Sequence, residues 1–246
     1  MRLIRFSANG EVFAGQMIDD IVRTNDASQR EFSSKEIRLL PPCLPSKVVA
    51  VGLNYRDHAE ELGLAIPEEP ILFLKPSTSV IGPDDMIVLP PQSTRVDYEA
   101  ELAIVMSKSA RNVPREKAQE YILGFTCLND VTARDLQSKD GQWTRSKSFD
   151  TFCPIGPWID TEIDASDLKI ELVLNGEIKQ KSRTSNLIFN CAVLVEFISA
   201  VMTLHPGDVI ATGTTSGIGP MGPGDTVEVR VEGIGSLVNR TVKSAP

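Results

Sequence analysis

The sequence is poor in histidine, in paired cysteines and in long apolar runs, and each shortage removes a class of function. His58 and His205 are the only histidines in 246 residues, so any imidazole chemistry must use one of them. The four cysteines, Cys43, Cys127, Cys153 and Cys191, lie far apart with no C-x-x-C pair. That spacing fits neither a zinc knuckle nor a redox dithiol, and it is the pattern of a reduced, cytoplasmic chain. The longest apolar stretch, Ala192 to Leu204, is interrupted by Glu196 and Ser199 and is too short to cross a bilayer. The opening Met1-Arg-Leu-Ile-Arg-Phe-Ser lacks the apolar run of a secretory signal. Positive charge is also scarce: 25 lysines and arginines face 33 aspartates and glutamates, a net charge of −8. Such a chain has no positive excess for a phosphate backbone, so neither nucleic acid nor membrane is expected as a partner. P-loop, G-x-S-x-G and H-E-x-x-H motifs are absent. Gly217-Ile-Gly219-Pro-Met-Gly222 spells G-x-G-x-x-G, but Pro220 and Pro223 bracket it and a strand-like segment follows, where a dinucleotide site needs a helix.

What is present suits a soluble protein with a substantial core: 41% hydrophobic and 24% charged residues, with glycine and proline spread evenly. Residues 1–44 read as a small N-terminal β-unit, with strands at Arg2–Phe6 and Glu11–Met17 around the Asn9-Gly10 turn, packing on the rest. The proline-rich Pro41–Pro45 stretch marks its boundary with a second unit, 45–246. There, strands are expected at Lys47–Leu53, Val96–Val105, Leu123–Asp130, Leu168–Leu174, Glu177–Lys181, Asp208–Ala211, Thr226–Val231 and Ser236–Val242. Helices are expected at Asp57–Leu62, ending near Gly63, at Pro114–Tyr121 and at Cys191–Leu204, with 132–150 mostly irregular. Strand exceeds helix without regular alternation, which predicts a β-rich α+β fold.

Chemistry concentrates in Asp97-Tyr-Glu99-Ala-Glu101. On a strand, Glu99 and Glu101 share a face with Asp97 beside them. Carboxylates so placed at the edge of a core repel one another unless a cation neutralises them. Oxygen donors of this kind suit Mg²⁺, Mn²⁺ or Ca²⁺ rather than zinc. A solvated strand end fits the same spacing, and Asp130 is a third candidate that spacing alone does not bring near. His58 and Glu61, three apart on the expected helix, can touch, and a carboxylate beside an imidazole orients a general base. An exposed turn with an incidental histidine would read the same way. His205, in Leu204-His-Pro-Gly-Asp208, sits in a turn signature and reads as structural.

Several linked blocks then resemble the fumarylacetoacetate hydrolase family. They are Val51-Gly-Leu-Asn-Tyr55-Arg-Asp-His58, Phe73-Leu-Lys-Pro76-Ser, Asp97-Tyr-Glu-Ala-Glu101-Leu, Asn129-Asp-Val-Thr-Ala-Arg134-Asp-Leu-Gln137, Lys147-Ser-Phe-Asp and Thr212-Gly-Thr214. They fall in family order from about residue 47 to 242, and the short members acting on acylpyruvates, oxaloacetate or unsaturated 2-hydroxy dioic acids are the most similar. The resemblance implies a rolled, mixed β-sheet catalytic domain, a homodimer, and Mg²⁺ or Mn²⁺ (Ca²⁺ in a crystal) held by Glu99, Glu101 and Asp130. It implies catalytic roles for the lid pair His58 and Glu61 and for Lys147, with Arg134, Gln137 and Thr214 lining the substrate pocket. The expected activity is metal-dependent C–C cleavage, by hydrolysis or decarboxylation, of a 2-oxo acid such as a 3-acylpyruvate or oxaloacetate through a metal-bound enolate. The alternative is an isomerase or tautomerase of a 2-hydroxy-diene-dioate in aromatic catabolism, using the same residues.

Overall fold

Alternation in the apolar run after Glu101 decides the architecture. In the computed structural model, which describes residues 1–244, Ala100–Met106 is a strand buried along its whole length. Leu102, Ile104 and Met106 enter one hydrophobic cluster, and Ala103 and Val105 enter another. A strand apolar on both faces must be central, and this one lies between Ile122–Asn129 and Val209–Thr214.

From there a mixed sheet of 12 strands extends both ways. On one side it runs through Val209–Thr214 and its parallel neighbour Lys47–Gly52 to an edge at Ile71–Pro76. On the other it runs through Ile122–Asn129, Cys153–Asp160, Arg2–Ala8, Glu11–Ile18 and Ile21–Thr24 to Glu31–Ser33. The N-terminal strands thus continue the main sheet, and they carry a cluster of their own in which Phe6, Phe13 and Phe32 meet at 5.4–5.5 Å. A second sheet orders Glu177–Arg183, Lys169–Leu174, Thr226–Val231, Gly235–Lys243 and Met86–Leu89, and a short third one joins Thr132–Ala133, Val96–Tyr98 and Gly219–Pro220.

Four α-helices are seen among the described residues: α1 (Arg56–Leu62), α2 (Arg134–Asp140), α3 (Thr144–Lys147) and α4 (Cys191–Val201). The Asn190 side chain caps α4 by accepting from the Val193 N–H, and Leu194, Val195 and Ile198 bury its inner face. Gly63, at φ 63°, closes α1 as expected of a left-handed C-cap.

The structure departs from the sequence expectation in several places, and adds the unexpected strands Ile71–Pro76 and Met86–Leu89. Val96–Val105 is not one strand; it breaks at Glu99, and its two halves belong to different sheets. The stretch 132–150 is not irregular but holds α2 and α3, whose N-termini lack a side-chain cap and so leave little signal. Arg115–Tyr121 winds as a 3₁₀ rather than an α-helix. Cys153–Asp160 is a strand of the main sheet that reading by residue type overlooked, because Pro154 and Pro157 are breakers there and the pairing shifts around them.

Asp208 ties the His205 turn to the start of Lys47–Gly52. Its carboxylate accepts from the Ser46 N–H and hydroxyl at 2.9 and 2.7 Å, from the His205 N–H at 2.8 Å and from the Lys47 ammonium. Burial pushes this carboxyl up, but the His205 N–H, Lys47 and Ser46 outweigh it and hold it below the usual range. Asp208→Ala should therefore cost about 1–3 kcal/mol at pH 7, read from urea unfolding. A carboxyl lowered in the folded state contributes above its unfolded value and loses that contribution as pH falls through the folded one. The wild-type advantage should accordingly close below about pH 4.

Candidate active site

The break at Glu99 builds the site. The Glu99 N–H donates to Asn129 Oδ1 at 2.9 Å, and the Glu99 carbonyl accepts from the Asp130 N–H at 2.9 Å. The next residue, Ala100, donates its N–H to Gln180 Oε1 at 2.9 Å. Glu99 is thereby turned off the strand line, and Asp130 follows the end of the neighbouring strand. As a result one carboxylate oxygen from each of Glu99, Glu101 and Asp130 lies within 4.8 Å of the other two, and all three residues are buried.

Cations from three other segments surround this cluster. The Lys147 ammonium, from α3, donates to Glu99 Oε2 at 3.0 Å and to Asp130 Oδ2 at 2.6 Å. From the edge strand, Lys75 donates to Asp130 Oδ1 at 2.6 Å. Arg134, at the start of α2, reaches Glu99 with one guanidinium nitrogen, Asp97 at 2.9 Å with another and Gln137 at 2.6 Å with the third. Burial alone would raise the Glu99 carboxyl, but Lys147 and Arg134 overcome it and hold the group down to about 2. Glu101 goes the other way. Burial lifts it well above the ordinary range, and Asp130 and Glu99 add repulsion. Its carboxylate accepts from the Gly213 N–H at 2.7 Å, but it has no ion-pair partner among the described residues. Gly213 sits at φ 101°, where a Cβ would lie 2.7 Å from that of Asn54, so only glycine brings this N–H so close. Three buried, hard oxygen donors with one left uncompensated fit a divalent cation.

The second group comes from α1. His58 Nδ1 lies 2.9 Å from Glu61 Oε2, and the other Glu61 oxygen accepts from the Gly217 N–H at 3.0 Å. Further bonds dock the helix: Asp57 accepts from the Ser182 and Thr215 hydroxyls, and Arg56 donates to the Leu187 carbonyl at 2.8 Å. Just before α1, the Asn54 amide donates to the Thr212 and Phe189 carbonyls at 2.7 and 3.0 Å.

One cavity of about 400 Å³ joins these groups. Glu99, Glu101, Asp130, His58, Lys147, Arg134, Gln137 and Thr214 all line it. Glu61 does not, and reaches the cavity only through His58. The remaining wall is apolar and includes Leu62, Leu64, Phe73, Trp143 and Ile218. Trp143 packs edge-on against Phe73 with centroids 5.2 Å apart, and a Cβ on Gly52 would strike its ring at 2.6 Å. The sequence reading overlooked Lys75 as a site residue. Its signal was a lone charge in the apolar run Ile71-Leu-Phe-Leu-Lys75.

The profile described as fumarylacetoacetate (FAA) hydrolase C-terminal matches residues 47–242. The chain belongs to this family. A solved structure from Mycobacterium smegmatis, titled 5-carboxymethyl-2-hydroxymuconate delta-isomerase, is 48% identical over 100% of both chains, with a TM-score of 0.95. The mitochondrial oxaloacetate tautomerase Fahd2a of Rattus norvegicus is 42% identical over 83% of this chain and 69% of its own. A maleylpyruvate hydrolase from Sphingobium sp. SYK-6, solved with manganese(II) and pyruvate, is 30% identical over 100% of both chains, with a TM-score of 0.84. The family thus carries hydrolase, isomerase and tautomerase names on one fold, and the acidic triad of this member is a candidate divalent-metal site.

Raising a carboxyl in the folded state makes stability fall as pH climbs from the unfolded value toward the folded one. In chelator, the wild type should lose stability as pH rises above the ordinary glutamate value of about 4.3. Glu101→Gln should flatten that slope and be the more stable of the two at alkaline pH, read from urea midpoints. The same substitution should weaken Mn²⁺ binding by at least roughly 100-fold in calorimetric titration.

Proposed function

We propose that this protein is a divalent-metal-dependent enzyme cleaving a C–C bond of a 2-oxo acid, by hydrolysis or decarboxylation, with a 3-acylpyruvate or oxaloacetate as substrate. The observation that carries this reading is that His58, oriented by Glu61, opens onto the same cavity as the acidic triad and Lys147. Glu99, Glu101 and Asp130 would hold Mg²⁺ or Mn²⁺, and the ion when bound supplies Lewis-acid stabilisation to negative charge gathering on the substrate oxygens.

Glu61 accepts at His58 Nδ1, which leaves Nε2 as the basic nitrogen of a ring that lines the cavity. In hydrolysis, Nε2 takes a proton from a water as its oxygen adds to the C4 carbonyl. The C3–C4 bond then breaks with its electron pair passing toward C3, the acyl group leaves as a carboxylic acid, and a proton returned to C3 completes pyruvate. In decarboxylation the same bond breaks with loss of CO₂, and His58 only delivers the proton. Lys147 sets a positive charge beside the substrate's developing anion, while Arg134, Gln137 and Thr214 shape the pocket around its polar end. The apolar wall excludes water and strengthens these charges.

A second reading keeps every residue and changes the bond: proton transfer at C3 without cleavage, which isomerises or tautomerises a 2-hydroxy-diene-dioate in aromatic catabolism. The isomerase and tautomerase names among the relatives support it. We further infer a homodimer, supported by exposed Ile71 and Leu74 on the edge strand with exposed Leu62 and Leu64 on and just after α1. Four free cysteines, together with the lack of any helix among the described residues long and apolar enough to cross a membrane, support a cytoplasmic setting.

Metal-stripped protein and protein reconstituted with Mg²⁺ or Mn²⁺ should be compared on oxaloacetate, acetylpyruvate and a 2-hydroxydienedioate. Metal-dependent pyruvate release, abolished in Glu101→Ala, is the expected outcome. His58→Ala should lower acetylpyruvate hydrolysis by about 10²–10⁴-fold and decarboxylation by less. Isomerisation without pyruvate would select the second reading, and activity indifferent to metal and to Glu101 would overturn both.

A further inference from the structure

Lys75 is a charged side chain that none of these steps employs. It stands on the edge strand Ile71–Pro76 and is wholly buried. Its ammonium donates to Asp130 Oδ1 at 2.6 Å and to the Val131 carbonyl at 3.2 Å. Unlike Lys147, it does not line the cavity, so it has no access to a substrate. Asp130 is therefore gripped at both oxygens, from two directions. Oδ1 is held by Lys75 from outside the cavity, and Oδ2 shares the Lys147 ammonium with Glu99 on the cavity side. Lys147 faces the space a substrate would fill, whereas among the described residues nothing beyond Asp130 and the Val131 carbonyl accepts from Lys75.

We propose that Lys75 is a positioning residue for the metal site: it clamps Oδ1 of Asp130 and so presents Oδ2, at a fixed angle, to a divalent ion. This rests on the divalent-ion reading of the triad. Its charge stays on Asp130 whatever Lys147 contacts, so the third donor keeps its orientation through a reaction. Two simple pictures then give opposite signs. A lysine acting only through its charge repels the ion, and its removal tightens metal binding. A lysine acting by orienting a ligand makes binding weaker when it is removed.

Chelator-treated protein titrated with Mn²⁺ in a calorimeter separates them. Lys75→Met, which removes both hydrogen bond and charge at similar length, should bind Mn²⁺ about 10–100-fold more weakly than the wild type. Lys75→Gln keeps an N–H for Oδ1 without the charge and should stay within about threefold of the wild type. A Met variant that binds as tightly as the wild type or tighter, or a Gln variant as weak as Met, overturns the assignment. If Lys75→Met does not fold, the Gln comparison decides: affinity within threefold supports it, and a loss beyond about tenfold overturns it. A wild type that takes up no Mn²⁺ overturns the metal reading along with this one. A wild type that binds Mn²⁺ but turns over none of the 2-oxo acids overturns the proposed reaction and leaves Lys75 standing.

Discussion

Three carboxylates buried within 4.8 Å of one another must be offset by positive charge, and much of the surrounding architecture answers that requirement. The compensating groups arrive from separate pieces of chain: Lys75 from an edge strand, Arg134 from α2 and Lys147 from α3. Helices of seven and four residues have almost no intrinsic stability. Here each places a cation on a buried carboxylate, so the charge cluster fixes the helices as much as the helices fix the charges. Asp97 extends the arrangement by one layer, accepting from Arg95 at 2.8 Å and from Arg134 at 2.9 Å. The guanidinium that reaches Glu99 is therefore held at its other end.

The same logic governs α1. Seven residues would not hold a helix in water, yet Arg56 and Asp57 bind the stretch 182–187, and Asp57 and Glu61 bind the stretch 215–217. Asn54 bridges the strand that supplies Thr212 and the chain at Phe189. The direction of the His58 ring is thus a property of the whole fold and not of the helix alone.

Much of this was legible in the sequence. The apolar run after Glu101 located the central strand, Asn175-Gly176 located a hairpin, and Gly63 located the end of α1. The carboxylates at 99 and 101 and the His58–Glu61 spacing announced themselves by residue type, while the approach of Asp130 came only through family resemblance. What stayed hidden has a common cause. The kink at Glu99 depends on an amide of Asn129 thirty positions away, and α2 and α3 depend on ion pairs across the site, so neither leaves a local pattern. Lys75 stood only as one residue of a family block, because its partner, Asp130, lies 55 positions further on.

Gly52, Phe73 and Trp143 illustrate a division of labour within the cavity. The carboxylates of the floor come from the central strands and their ends, where any change disturbs the core. The aromatic wall comes from an edge strand and from the turn joining α2 to α3, and the missing side chain at Gly52 lets the indole settle against it. Evolution can therefore remodel the shape that meets a substrate's tail through a few peripheral residues while the reactive end is left intact. Such modularity gives a physical basis for one scaffold carrying hydrolase, isomerase and tautomerase names, and it marks position 143 as a natural starting point for redesigning the cavity's shape.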